Sequence, residues 1–486
     1  MATSKLKSFI CSDFSFIFSI ALFILILFKQ ALTMPFYSDD FAFLKLSHPK
    51  NITDVLYFFQ PGKDYFYRPL GSEVFYTLVN MLGRSALAGH IIMYVTYIVS
   101  LWIFLIILQT ITNNKHLSRI IVFIYGISFI HLFQLSQLAT YQEILMLFTL
   151  LVSFYFFLKE RYMLSLIFFV FALMSKETSI MYPFFLLLYS LVFDKPNRNR
   201  TLYLILFFLL SAQFSVIYYL SIRSVSTLDV YKIHLSPRLM VNNLLWYTLW
   251  SLGVPSNLYE YMPTIFRLPP PSFFYALFTI NDKLYIGILL FLLGLLLIST
   301  ILLILLRKIG IYSLVRGLFL YLCFALFLLP VLMIVHKWMV RLTIPYLFIS
   351  IILGCLVYRI ILITNRRAIT MTILFAVYTL FTVTAINYHE VVGYYLTNRY
   401  IQLVAQQIFA GKDTNIQNKN AIYFSDNHSN GRLSSKNSEL LFTAFSNQNY
   451  ADYYLAGKQI KTLYSFQENK TPRYAYHLYS DIFTIR

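Results

Sequence analysis

Charge is what this chain has least of. Charged residues fill 12% of its 486 positions, about half of the roughly 25% usual in soluble domains, and that shortfall excludes a globular protein with an ordinary solvated surface. Carboxylates are the scarcer sign, with 20 Asp and Glu against 39 Lys and Arg, so each acidic cluster stands out. Cysteine is nearly missing: Cys11, Cys323 and Cys355 all fall in apolar segments. No C-x-x-C spacing occurs, so neither a cysteine metal site nor a disulfide framework is indicated. The sequence also lacks a Walker loop, a nucleophile elbow and an H-E-x-x-H zinc motif.

What is present is apolar length. Hydrophobic residues reach 59% and aromatics 19%, with 47 Phe and 39 Tyr, and the mean hydropathy is +0.67. A membrane span needs roughly 20 apolar residues. On that measure spans are expected near 9–28, 89–111, 120–139, 143–158, 162–174, 178–193, 202–221, 284–306, 314–335, 342–360 and 368–387. The fold class expected is an all-α polytopic membrane protein of about eleven transmembrane helices, followed by a small α/β domain outside the membrane. The net charge of +19 sits mostly in short loops, and no basic face with interleaved aromatics appears, which argues against nucleic acid as a partner.

Basic clusters recur at every second loop: Lys5 and Lys7, Lys115 and Arg119, Lys159 and Arg161, Lys195 with Arg198 and Arg200, Arg307 with Lys308 and Arg316, and Arg359 with Arg366 and Arg367. The positive-inside rule then sets a cytoplasmic N-terminus and an extracytoplasmic C-terminus. The first apolar run is longer than a usual signal-peptide core, so it reads as a retained anchor. The membrane module spans 1–387. Two large outer loops interrupt it, 29–88 with an interfacial helix from Arg68 to Gly89, and 222–283 with Trp246, Trp250 and a helix-ending run Pro269–Pro270–Pro271. Residues 388–486 form a polar tail, with strands expected at Ala421–Ser425 and Ile460–Phe466 and a helix at Leu396–Ala410. Sequons at Asn51, Asn427 and Asn469 lie on the outer side.

Five polar motifs share that outer side. Asp39 and Asp40 follow the first span; adjacent carboxylates raise one another's pKa, which suits a general base. In Tyr67–Arg68–Pro69–Leu70 the guanidinium of Arg68 offers a planar fork for phosphate oxygens. Glu143 heads an apolar helix. Ser175–Lys176–Glu177–Thr178 breaks the apolar stretch 162–193, whose two ends both carry basic clusters. Two short spans joined by a shallow turn keep both clusters inside and hold Lys176 and Glu177 near the outer interface, where ionisable groups face a cavity or a partner. His336, Lys337 and Arg341 put basic residues on the outer side against the positive-inside trend, which suggests an anionic ligand. Together these carboxylates and cations suit transfer from a phosphate leaving group.

The arrangement resembles the GT-C superfamily of integral-membrane glycosyltransferases, in the general plan of protein O-mannosyltransferases and of the aminoarabinose transferases that modify lipid A. The resemblance covers about residues 10–390 and rests on Asp39–Asp40, Tyr67–Arg68–Pro69–Leu70 and Ser175–Lys176–Glu177–Thr178, with Arg341 and Pro345 a looser match. It implies Asp39 as catalytic base, Asp40 as its supporting acid and Glu143 as a second outer acidic position. Arg68, Lys176 and Arg341 are then expected near the donor phosphate, with His336 beside them and Glu177 and Tyr67 in support. The donor implied is a polyprenyl-phosphate monosaccharide and the reaction is inverting. The acceptor, whether protein, lipid or glycan, is left open, as is a divalent metal at Asp39 and Asp40. The chain departs from the animal and fungal members in having no tetratricopeptide array. A multi-pass transporter or flippase of cell-envelope lipid precursors is the alternative, although it would place polar groups near mid-membrane.

Overall fold

A computed structural model describes residues 12–61, 66–193, 198–222, 232–305, 311–364, 366–392, 395–410, 421–425, 441–454, 461–464 and 476–479. Lys5, Lys7, Cys11, Lys195, Arg307, Lys308, part of the strand expected at Ile460–Phe466 and the sequons at Asn427 and Asn469 lie outside the described residues.

The protein is mostly helical. Among the described residues seven helices are long and apolar enough to cross a membrane: Ala86–Thr112, Leu138–Leu158, Arg198–Ser221, Lys283–Leu305, Ser313–Leu332, Pro345–Ile363 and Arg367–Glu390. Three shorter apolar helices accompany them, at Asp13–Leu27, Tyr162–Leu173 and Glu177–Phe193. In a hydrocarbon environment each backbone N–H and C=O must be paired within its own segment, so long apolar runs become helices. Large side chains such as Leu290, Phe291, Leu297 and Ile298 point outward from Lys283–Leu305, as the lipid-facing side of a multi-pass membrane protein requires.

Three expectations are corrected. The stretch 120–139 is not one helix: it breaks into Lys115–Gly126 and His131–Ser136, and the break carries buried Ser128, His131, Gln134 and Ser136 into the core. The interfacial helix is far shorter than Arg68–Gly89. A π-helical turn at Leu70–Val74 leads into Phe75–Met81, and then Gly83 and Arg84, at φ 81° and 56°, reverse the chain. Gly89 already belongs to Ala86–Thr112. The proline run starts a helix rather than ending one, because Pro271 is the first residue of Pro271–Tyr275, where its missing N–H has no partner to lose.

The C-terminal segment forms a parallel sheet from β1 (Ala421–Ser425), β2 (Lys461–Tyr464) and β3 (Tyr476–Tyr479), in the order β2-β1-β3. Ala421 pairs with Lys461, and Ile422 with Tyr476. Helices Tyr395–Ala410 and Asn449–Tyr454 accompany it. This layer sits on the short helix Asp39–Leu46: the ring of Phe41 meets Tyr450 edge-on at 5.1 Å, and Lys45 pairs with Asp452 at 2.6 Å.

Candidate functional site

The site begins at a turn. Tyr37 C=O accepts from the amide of Asp40 at 3.2 Å, and Ser38 between them has φ 53° and ψ −127°. Those are the angles of the first central residue of a type II′ turn, a place that favours glycine. A serine there is strained by on the order of 1–3 kcal/mol. The turn starts the helix Asp39–Leu46 with both carboxylates in its first turn.

The two acids have different surroundings. Asp40 is fully buried. Its Oδ1 accepts from the Tyr76 hydroxyl at 2.6 Å and from the Ala139 amide at 2.7 Å, and its Oδ2 from the Tyr37 amide at 3.0 Å. Burial nevertheless outweighs these donors, and with help from the neighbouring Asp39 charge it lifts the Asp40 carboxyl to about 7. Asp39 is open to solvent although dense protein surrounds it. That poor solvation raises its pKa, while the positive charges of Arg68 and Lys176 pull it back down. An accessible carboxylate close to two cations, on a helix held by a buried neighbour, is the arrangement that a proton acceptor needs.

A continuous hydrogen-bond chain joins this turn to the other motifs. Ala139, whose amide holds Asp40, accepts at its carbonyl from the Gln142 amide at 2.8 Å. Gln142 Oε1 accepts from Arg68 Nη1 at 2.7 Å. Arg68 Nε and Nη2 then bind both oxygens of Glu177, each at 2.7 Å. The fork expected on a phosphate is thus engaged with Glu177 and Gln142. Arg68 also lies 4.3 Å over the ring of Phe66. Beside it Lys176 Nζ stands 3.3 Å from Glu143 Oε1, both largely buried. Tyr67, also buried, donates to the Phe59 carbonyl at 3.2 Å and packs on Phe214 and Tyr218. It forms a wall beside Arg68.

The loops carrying these groups are locked together at the backbone. Leu70 N–H donates to the Met174 carbonyl at 3.1 Å. Gly71 lies so close that a Cβ there would sit 2.7 Å from both Gln142 Cβ and the Ser175 carbonyl. Only glycine permits that approach.

Lys176 is the hub of the cluster. Arg68, Glu143, Glu177 and Arg341 all act on it electrostatically. The half-buried Arg341 donates through Nη1 to the His336 carbonyl and through Nη2 to His336 Nδ1, the latter at 3.1 Å. Since arginine only donates, Nδ1 accepts and the imidazole carries its proton on Nε2. Burial, then the charges of Arg341 and Lys337, lower the His336 pKa to about 4, so His336 is neutral at pH 7 rather than the cation that its place among basic residues suggested. Lys337 turns to the ring of Tyr259 at 5.4 Å. Among the described residues no carboxylate lies within ion-pair range of Arg341.

The five motifs therefore meet, though hundreds of residues separate their extremes. Sequence reasoning missed Gln142, Tyr76 and Ala139. Gln142 stood in the polar triplet Tyr141–Gln142–Glu143, which was the available signal; a backbone amide such as that of Ala139 gives none. Among the described residues no three His, Cys, Asp or Glu side chains come together as metal ligands, and both Asp40 oxygens already hold donors. An apolar cavity of about 100 Å³ lies elsewhere, lined by Ser128, Leu292, Tyr346, Leu353, Tyr378 and Phe381. It holds no carboxylate or cation, so the polar cluster is the better candidate.

Comparison with protein-family models, with curated proteins and with solved structures returns no match.

Proposed function

We propose that this protein is an integral-membrane glycosyltransferase that uses a polyprenyl-phosphate sugar as donor on the extracytoplasmic side of the membrane. The observation that carries the reading is that an accessible carboxylate, Asp39, lies within electrostatic reach of Lys176, on which Arg341 also acts. On this reading the acceptor hydroxyl attacks the anomeric carbon and its proton passes to Asp39. The bond from that carbon to the phosphate oxygen breaks, and the electron pair leaves with the polyprenyl phosphate. Arg341, which has no carboxylate partner among the described residues, and Lys176 stabilise the departing charge. His336 offers its Nε2–H to the same phosphate. Arg68 serves the site by fixing Glu177 and Gln142, and Glu143 by steadying Lys176. Attack opposite the leaving phosphate inverts the anomeric centre. The eleven-span arrangement with an extracytoplasmic C-terminal domain belongs to the same proposal, and the break at Ile127–Ile130 makes one of those crossings a helix pair.

The test is release of lipid phosphate by purified protein from a panel of polyprenyl-phosphate monosaccharides offered with cell-envelope acceptors. Asp39→Asn is expected to lower turnover by about 10²–10⁴-fold, the usual contribution of a general base, with donor binding retained. Turnover unchanged in Asp39→Asn would remove the assignment. Movement of the lipid across the bilayer with no glycosidic bond formed would identify a flippase instead.

A further inference from the structure

Four features outside the reacting groups meet at the acidic turn, and all involve the C-terminal domain. The Ser38 amide, belonging to the residue with strained angles, donates to the Ala444 carbonyl at 2.8 Å. The same carbonyl accepts from Gln402 Nε2 at 2.9 Å. Gln402 is fully buried on the helix Tyr395–Ala410, and its Oε1 has no partner among the described residues. Around this junction Phe41 packs on Tyr450, whose ring lies tilted 4.3 Å from that of Phe445. A carbonyl with two lone pairs takes two donors in fixed directions, so Gln402 aims the Ala444 oxygen at Ser38. The bonds within the turn engage the Tyr37 amide and the carbonyls of Tyr37 and Ser38; the Ser38 amide itself is held from outside, by Ala444.

We infer that Gln402 is a positioning residue for Asp39: by fixing the Ala444 carbonyl on the Ser38 amide, it keeps the acidic turn in the conformation that presents Asp39 to the Lys176 cluster. This rests on the reading of Asp39 as the base, and it gives the C-terminal domain a part in catalysis without any contact with substrate. An amide that served packing alone would instead be improved by an apolar residue of like shape, because its Oε1 is buried with no donor among the described residues.

The experiment uses full-length protein in lipid nanodiscs. Gln402→Met keeps the volume and removes the donor. Ser38→Gly makes the turn angles natural and so independent of outside help. Hydrogen exchange at the Ser38 amide is expected to quicken about tenfold in Gln402→Met, the ratio that one lost hydrogen bond produces, with the melting midpoint unchanged. The kcat for lipid-phosphate release is expected to fall by a similar factor, with KM for the polyprenyl-phosphate sugar unaltered. Gln402→Met placed in the Ser38→Gly background is expected to lose less than about twofold relative to Ser38→Gly alone. Exchange at Ser38 needs no activity, so it tests the contact even if no donor is consumed; that result would sink the transferase reading and leave the relay standing. A wild-type exchange rate in Gln402→Met, or an equal loss of turnover in both backgrounds, overturns the proposal.

Discussion

Asp40 carries no solvent contact and three hydrogen-bond donors, yet its carboxyl titrates at about 7 because burial penalises the charge more than the donors repay. In an unfolded chain the same group titrates near 3.9. Between those values the folded state holds a proton that the unfolded chain has released. The associated stability is therefore complete below about pH 4 and is lost as pH rises through about 7. The melting midpoint of the protein is expected to fall between pH 5 and pH 8, and that of Asp40→Asn, which cannot titrate, to change less. Thermal unfolding in detergent at stepped pH measures this, and parallel curves would show that Asp40 is not the group responsible. At this scale the residue types of the site were legible, because isolated charges in an apolar chain are conspicuous. Their pairing was not: the fork of Arg68 suits a phosphate and a carboxylate equally, and only the position of Glu177 decides between them.

Among elements, the junction between the π-helical turn Leu70–Val74 and the turn preceding Glu177–Met181 sets the geometry of the site. Gly71→Ala would force a Cβ against a side-chain carbon and a backbone carbonyl, both at 2.7 Å. The backbone oxygen cannot rotate away as a side chain would. Gly71→Ala is expected to destabilise the protein by about 1–3 kcal/mol, typical of overpacking. It is also expected to pull Arg68 from Gln142, which a lowered melting midpoint together with lost lipid-phosphate release would record; an unaltered midpoint would mean the loops separate freely. Most helices follow from apolar length alone, since lipid leaves the backbone no other partner. Boundaries set by turns did not follow. The reversal at Gly83 and Arg84 and the break after Gly126 depend on neighbouring helices, and the residues between Gly126 and His131 are as apolar as those of a continuous span.

For the molecule as a whole, the proposal requires Asp39, Arg68, Lys176 and Arg341 on one side of the membrane. Asn51 and Lys159, both exposed, belong to opposite sides under the alternating pattern of basic loops. In a cysteine-free background, Asn51→Cys is expected to react with an impermeant maleimide in intact cells, and Lys159→Cys only after permeabilisation. Labelling of both from one side would break the topology on which the shared site depends. The pairing of Asp13 with Arg119 at 2.8 Å fits this pattern, because both residues are expected at the cytoplasmic face. The C-terminal layer adds a contact that no membrane topology implies, through Ala444, Tyr450 and Asp452.

The amino-acid sequence by itself determined that the chain is helical, apolar and multi-pass, which acidic and basic groups break the apolar pattern, and where β1 lies. Those properties follow from local hydropathy and from backbone groups that must be paired within one segment. Only the tertiary structure decided that Arg68 binds Glu177 and Gln142, that Asp40 is buried while Asp39 is open, and that a carbonyl some 400 residues away holds Ser38. Each of these is a choice among partners of equal local chemistry, and distance in the folded chain, not residue type, makes it.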